Sequence, residues 1–286
     1  MFGRGVRRSL SVNPRGSGDL DTDYPMTPDE HQLVARVAGL LAKSERVLLI
    51  TGAGLSADSG LPTYRGIGGL YDIELTEEGL PIEEVLSGEM LARDPALTWK
   101  YFLQIAEAAR GAGFNRGHQV IAQLEQALPS VWTLTQNVDG LHRSAGSRNL
   151  IEIHGSMHDL RCTHCGEHST SEQHDWSQIP PHCWTCGSVV RPNVILFGEM
   201  LPQAAQERFW NEWNSGFDLV VSVGTSSLFP YIAGPVEWAS RDGIPTVEIN
   251  PSETPVSELV TIRLAMRAAP ALDAIWRWYC EALGGK

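Results

Sequence analysis

The chain has 286 residues, a formal net charge of −12, 42% hydrophobic residues and 20% charged residues. That length can bury one large core, or a large domain with a small satellite, and the composition is that of an ordinary globular protein. The acidity argues against a general nucleic-acid binder, which would carry a basic patch, and no run approaches the roughly 20 apolar residues of a membrane span.

Residues 1–25 hold Arg4, Arg7, Arg8 and Arg15 with no acid before Asp19. The charge resembles a transit peptide, but no amphipathic run accompanies it, so the segment reads as a disordered extension, with Met26 as an alternative start. Thr27 then opens "TPDEHQLVARVAGLLAKSE". Thr27 with Glu30 makes a capping box, Pro28 suits the first helical position, and Leu33, Val34, Val37, Leu40 and Leu41 form one apolar face. A buried strand, Val47 to Thr51, follows, and then a glycine-rich loop.

Gly52-Ala53-Gly54-Leu55-Ser56-Ala57 fits G-x-G-x-x-G/A after a strand. The first glycine permits a tight turn, the second removes a Cβ that would block a pyrophosphate, and a small third residue lets helix and strand approach. A helix starting near Ser56 would offer backbone N–H groups to an anion. A plain tight loop would use the same residues. Asp72 and Glu74 stand near the spacing at which a dehydrogenase holds a ribose, but no clean strand precedes them, so hydride transfer fits poorly.

Further apolar runs read as buried parallel strands: Val131 to Thr135, Leu219 to Gly224 and Thr246 to Asn250. Helical patterns lie over 119–128, 204–213 and 270–283, the last with Leu272, Ile275, Trp276 and Tyr279 on one side. Each strand ends in small or polar residues, "TGAG", "TQNVDG", "VGTS" and "INPS". Ligands of open α/β sheets sit at the carboxyl ends of strands, so these ends nominate one crevice. Gln136, Asn137 and Asp139 enter it. His154 follows the alternating "LIEIH"; it is either a packing residue or, with an ordinary pKa near 6.5, a general base.

Two insertions, 66–115 and 158–191, make a small second domain, and the Rossmann-like domain comprises 26–65, 116–157 and 192–286. The expected fold is α/β: a Rossmann-like parallel sheet with helices on both faces, plus a small zinc-ribbon and helical domain. Four of five cysteines fall as Cys162-x-x-Cys165 and Cys183-x-x-Cys186, with 17 residues between the pairs. That is zinc-ribbon spacing. Four thiolates close a tetrahedral shell around one structural Zn2+ and leave no position for catalysis. A redox pair is the alternative, without a thioredoxin-like context. Unbridged thiols imply a reducing compartment, and the expected location is cytoplasmic. Cys280 reads as packing in the last helix.

In order along the chain, "GAGLSADSGLPTYRG", "TQNVDGLH", "IEIHGS", the two C-x-x-C pairs, "RPNVILFGE", "VGTSS" and "VEIN" resemble the sirtuins, the NAD-dependent protein lysine deacylases, over about residues 30–280. Thr63-Tyr64-Arg65-Gly66 and Gly224-Thr225-Ser226-Ser227 are most similar to the bacterial and mitochondrial branch that includes desuccinylases. The resemblance implies that Gly52, Ala53, Gly54 and Ser56 line the NAD diphosphate site and that Tyr64 and Arg65 lie on a mobile cofactor loop. It puts Gln136, Asn137 and Asp139 around the nicotinamide and its ribose, and Gly224, Thr225, Ser226 and Asn250 on the adenosine side. His154 is then the catalytic base, with Asn137 and Asp139 beside it. Ile195 and Phe197 line an acyl-lysine tunnel. Gly198 and Glu199 begin a strand that pairs with the acylated protein or peptide, reading backbone more than side chain.

The implied chemistry consumes NAD. The acyl-lysine carbonyl oxygen captures the ribose carbon as nicotinamide leaves, the base takes a ribose hydroxyl proton, and water releases lysine and O-acyl-ADP-ribose. Two departures stand out. Where the desuccinylases carry a Tyr-x-x-Arg pair, this chain has Phe102 and Ile105, which cannot neutralise a carboxylate, so acetyl or longer apolar acyl groups are expected over succinyl. The segment "GTSSLFPYIAGP" is one residue shorter before its proline than the family pattern. An ADP-ribosyltransferase, an NAD hydrolase and a non-catalytic zinc-ribbon module are the rival readings.

Overall fold

The computed structural model describes residues 25–62, 75–174 and 176–284. The first helix, α1 (Pro28–Leu41), carries the expected capping box: the Glu30 N–H donates to Thr27 Oγ1 at 3.3 Å, and the Thr27 N–H donates to the Glu30 carboxylate at 2.7 Å. Val34, Val37, Ala38 and Leu41 are its buried stripe, with Leu33 and Leu40 packed at the edge. Strand β1 (Arg46–Thr51) and the short helix α2 (Ala53–Ala57) follow. Then come α3 (Ile82–Val85), α4 (Gly88–Arg93), α5 (Pro95–Ala108), α6 (Arg116–Ala127), β2 (Ser130–Thr135), α7 (Leu141–Ser144) and β3 (Leu150–Glu152). The second insertion supplies β4 (Gly155–Cys162), β5 (His168–Thr170) and β6 (Val190–Val194). The chain closes with α8 (Gln203–Asn214), β7 (Leu219–Val223), α9 (Pro230–Arg241), β8 (Thr246–Ile249), β9 (Ile262–Leu264) and α10 (Ala268–Gly284).

Six strands pair in parallel in the order β3-β2-β1-β7-β8-β9. Renumbered within the sheet this is 3-2-1-4-5-6, the doubly wound order in which the chain reverses direction between the first and fourth strands. Alternate residues of each strand serve opposite faces. Val47, Leu49, Val131, Val221 and Val247 join the core under α1, α6 and α10, while Leu48, Ile50, Leu134 and Val220 join the one under α8 and α9. β9 is too short, at three residues, to stand out in the sequence, and α9 is disguised by Pro230, Gly234 and Pro235. Pro235 has no N–H to bond back to the carbonyl of Tyr231, four residues earlier.

The antiparallel sheet β5-β4-β6 builds the second lobe. Its strands run from Gly155 and to Val194, three residues beyond each boundary read from the sequence. Gly155 sits at φ +79°, and a Cβ there would stand 1.9 Å from the Asn193 carbonyl oxygen. Only glycine lets β4 and β6 meet at this point. Helix α5 is fastened to the sheet by Trp99, whose indole N–H donates to the Val190 carbonyl at 3.0 Å. Among the described residues no helix is long and apolar enough to cross a membrane.

Candidate active site and metal centre

The carboxyl ends of β1 and β7, neighbours at the reversal point, are locked together by backbone. The Gly52 N–H donates to the Val223 carbonyl at 3.1 Å and the Gly54 N–H to the Gly224 carbonyl at 2.8 Å. A Cβ on Gly52 would lie 2.8 Å from the Gly224 oxygen, and one on Gly54 would lie 2.7 Å from the Gly224 Cα. Gly224 itself adopts φ +58°. The G-x-G-x-x-G/A spacing suits a path for pyrophosphate, and in the structure the same glycines also let two loops of the protein cross. The helix also starts earlier than expected, with Gly52 at its cap and Ala53 in its first turn rather than near Ser56.

Ser56 is buried, and its Oγ donates to Asp139 Oδ2 at 2.6 Å while accepting from Asn137 Nδ2 at 3.0 Å. Asn137 Nδ2 also reaches the Gly52 carbonyl at 3.0 Å. Asp139 Oδ1 accepts the Leu141 N–H at 2.9 Å, at the start of α7. On the other side of the crossing, Thr225 is a hub. Its Oγ1 accepts from Gln136 Nε2 at 2.6 Å and from the Ser227 N–H at 3.2 Å, and its carbonyl accepts from Asn250 Nδ2 at 2.9 Å. The polar strand ends therefore form two hydrogen-bonded clusters, one on each side of the crossing. Ser226 is exposed, whereas Ser227, part of the same motif but given no site role from the sequence, is 3% exposed with φ +52° and an Oγ that has no partner among the described residues. A buried hydroxyl without a partner, beside a backbone crossing at a sheet's reversal point, suits a polar nucleotide that would complete it. Tyr64 and Arg65 lie outside the described residues.

His154 follows β3. Its Nδ1 lies 3.1 Å from the Gln136 carbonyl and its Nε2 lies 2.8 Å from the Tyr231 hydroxyl. Burial pushes its pKa below the ordinary 6.5, opposed by the Gln136 carbonyl. The Ile195 N–H donates to the His154 carbonyl at 2.9 Å, which ties the segment after β6 to the imidazole strand. Phe197 is held against the start of α4 by two backbone bonds, its N–H to Leu86 and its carbonyl to the Gly88 N–H. Gly198 turns at φ +80°, and the strand expected to begin at Gly198 and Glu199 is absent there. The Glu199 carboxylate accepts instead from both ends of the Arg191 guanidinium, 3% exposed, and from the Leu196 N–H. A buried cation without this partner would be costly, so the ion pair claims the side chain.

Phe102 is 2% exposed and packs edge-on against Trp99; Ile105 borders the same cluster with Val194, Leu196 and Phe197. Arg93 and Arg110 point elsewhere, to Glu84 and Glu107 on the surface.

In the second lobe the sulfurs of Cys162, Cys165, Cys183 and Cys186 lie within 4.8 Å of one another, with contacts of 3.4 Å (Cys162–Cys186) and 3.7 Å (Cys165–Cys183). Four sulfurs held about 2.3 Å from a zinc ion would stand roughly 3.8 Å apart, so the cluster fits that ion. The two pairs are twin knuckles. The N–H groups of His164 and Thr185 each donate to the first sulfur of their pair at 3.4 Å, and Gly166 and Gly187 turn the chain at φ +74° and +75°. His174 and His182 make other contacts, to Ser169 and to the Gly187 carbonyl.

A second buried pair escaped the sequence reading. His142 Nε2 meets Thr51 Oγ1 at 2.9 Å, and the His118 ring packs against it at 5.0 Å. Both are nearly inaccessible, and burial pushes them down to about 3 (His142) and about 4 (His118). Only their positions in "GLH" and "GHQV" were legible, and nothing local marks them as neighbours.

A parallel sheet of 3-2-1-4-5-6 order, two polar clusters at its reversal point and a four-thiolate lobe define a nucleotide-binding α/β enzyme with a metal-stapled second lobe. The chain belongs to the Sir2 family, whose profile matches residues 52–229. It is 52% identical over 250 residues to NAD-dependent protein deacylase 2 of Pseudomonas aeruginosa, covering 86% of this chain and 97% of that one. It is 34% identical to the NAD-dependent protein deacylase of Aquifex aeolicus, covering 84% and 98%. Among solved structures, a Sir2 homolog–NAD complex matches with a TM-score of 0.77 and 36% identity, covering 87% of this chain and 94% of the other. A Sir2–p53 peptide–NAD+ complex matches at 0.74 and 28%, covering 88% and 98%.

Proposed function

We propose that the crevice at the ends of β1, β2 and β7 carries an NAD-dependent protein-lysine deacylase activity in which His154 is the base and apolar acyl groups are preferred. Family membership and relatives bearing that name support deacylation with NAD. The observation that carries the residue assignment is the imidazole itself. It stands half-buried, with burial holding its pKa below the ordinary 6.5, and oriented by a main-chain carbonyl, at the end of the sheet that also presents Asn137 and Asp139. The nucleotide would be held by the Gly52–Gly54 turn, Ser56, Gln136, Asn137 and Asp139 on one side and by Gly224, Thr225, Ser226, Ser227 and Asn250 on the other. When bound, NAD supplies an electrophilic ribose carbon whose nicotinamide departs neutral. His154 accepts a proton from a ribose hydroxyl, a contribution worth about 10²–10⁴-fold. The thiolate cluster holds one zinc ion and takes no part in the reaction.

The apolar preference rests on the Phe102 and Ile105 wall and on the absence of Arg93 and Arg110 from it. A succinyl carboxylate against that wall would be buried without a partner. The nucleotide lobe is assigned to 26–65, 116–157 and 192–286, and the second lobe to 66–115 and 158–191. Four thiols held for a metal favour a reducing compartment such as the cytoplasm. Mass spectrometry of an acetyl-lysine peptide incubated with NAD tests the reading. Free lysine peptide with O-acetyl-ADP-ribose is expected; labelled protein or ADP-ribose alone would assign the crevice to ADP-ribosyl transfer or to hydrolysis. His154→Ala should lose deacylation by at least about 10²-fold while retaining NAD binding, and an active variant refutes the base.

A further inference from the structure

The two nitrogens of His154 are both engaged, and their partners fix the protons. The Gln136 carbonyl can only accept, so Nδ1, 3.1 Å away, carries the ring hydrogen. Nε2 is then the lone-pair nitrogen, and the Tyr231 hydroxyl 2.8 Å away is its donor. Tyr231 is not loosely placed. Its ring stacks on Phe229 at 5.4 Å and 14°, and both rings meet the imidazole edge-on at 5.9 Å. Pro230 starts α9 immediately before it. Asp139, the nearby carboxylate, is turned to Ser56 and to the Leu141 N–H, so among the described residues Tyr231 is the titratable side chain hydrogen-bonded to the ring. Burial pushes its phenol up to about 12, which keeps it a donor at neutral pH.

We propose that Tyr231 is a positioning residue for the base: its hydroxyl holds the Nε2 lone pair of the resting enzyme, supports the neutral ring whose tautomer the Gln136 carbonyl selects, and yields that lone pair to the ribose hydroxyl. The exchange replaces one O–H donor with another, so it costs little to reverse. When the sugar proton transfers, the N–H bond forms at Nε2, the ribose O–H bond breaks, the imidazole becomes cationic and the sugar oxygen anionic. A donor aimed at a lone pair stabilises the neutral ring against protonation. Removing the hydroxyl should therefore let the ring protonate more easily.

The inference rests on His154 being the base, and the tests separate the two. In Tyr231→Phe, which keeps the ring contacts, the acid limb of kcat/KM should move up by about half to one pH unit, while the plateau above it stays within about threefold. Independently of turnover, ¹⁵N NMR of the His154 ring should report the Nδ1–H tautomer in both proteins, held by the Gln136 carbonyl, with the Nε2 resonance shifted in the variant because its lone pair has lost the Tyr231 hydrogen bond. Tyr231→Leu, which also removes the ring, should lower kcat with KM for NAD little changed. An acid limb and a ring signature both unmoved in Tyr231→Phe would overturn the proposal. A shifted ring signature in a protein whose His154→Ala variant remains active would instead leave the hydrogen bond standing and remove the catalytic reading.

Discussion

Gly54→Ala tests whether the glycine loop is held by the protein's own backbone. The new Cβ would stand 2.7 Å from the Gly224 Cα and 2.8 Å from its carbonyl oxygen. Carbon pairs prefer about 3.5–4.0 Å, so the loops after β1 and β7 must part by about 1 Å. Neither side can yield by rotating a side chain, because every near atom is backbone. The 2.8 Å bond from the Gly54 N–H to Gly224 lies in the path of that movement. Overpacking of this kind costs about 1–3 kcal/mol, and a lost hydrogen bond adds about 1. The better helix propensity of alanine returns up to about 1. A net loss near 1–3 kcal/mol lowers Tm by roughly 2–12 °C in a domain of this size. Gly39→Ala is the control: Gly39 lies within α1 with no atom within 4 Å of its Cβ position, so the same substitution should stabilise by about 0.5–1 kcal/mol. Thermal unfolding by circular dichroism reads both. A Gly54→Ala protein melting within a degree of the parent would refute the backbone-crossing account.

The buried histidines give an acid limit to stability. Their folded pKa values, about 4 for His118 and about 3 for His142, lie below the ordinary 6.5, so the stabilisation is complete above 6.5 and is lost as pH falls from there through the folded values. At pH 5 the loss is about 2 kcal/mol for each ring, and urea midpoints that stay flat between pH 7.5 and 5 would contradict it. Metal analysis should find one zinc per chain, lost in Cys183→Ser/Cys186→Ser. The tryptophan emission of Trp176 and Trp184 should change while the parallel sheet stays folded, because its two cores contain none of the four thiols. A full equivalent of zinc in that variant would count against the thiolate site. Finally, matched peptides should be turned over in the order acetyl above succinyl, by at least about tenfold if even 1.4 kcal/mol of the unpaired-carboxylate cost is felt. Equal rates would mean that a cation reaches the Phe102 and Ile105 wall.

What could be read without coordinates was local. Thr27 and Glu30 announce the α1 cap because both bonds close within one turn. The apolar run before Gly52 announces β1 because a doubly covered strand has no polar face. The cysteine knuckles repeat the same short turn. The sequence is silent where groups apart in the chain meet on one side chain. Nothing in "FGE" shows that the Glu199 carboxylate is paired with Arg191 of β6, eight residues earlier. Pro235 speaks against a helix, yet α9 forms because Ile232, Ala233 and Val236 bury a face under the sheet. The glycines were recognised, and only the fold shows that Gly224 is the backbone they make room for.

The sequence by itself determined the period of each element, its caps, the loop that needs glycine and the thiol spacing, since each depends on neighbours a few residues apart. Only the tertiary structure decided which polar groups meet. Ser56 with Asp139, Gln136 with Thr225 and His154 with Tyr231 are separated by 83, 89 and 77 residues. Hydrogen bonds act over about 3 Å, and bringing such remote groups to that range is the work of the whole sheet closing around β1 and β7.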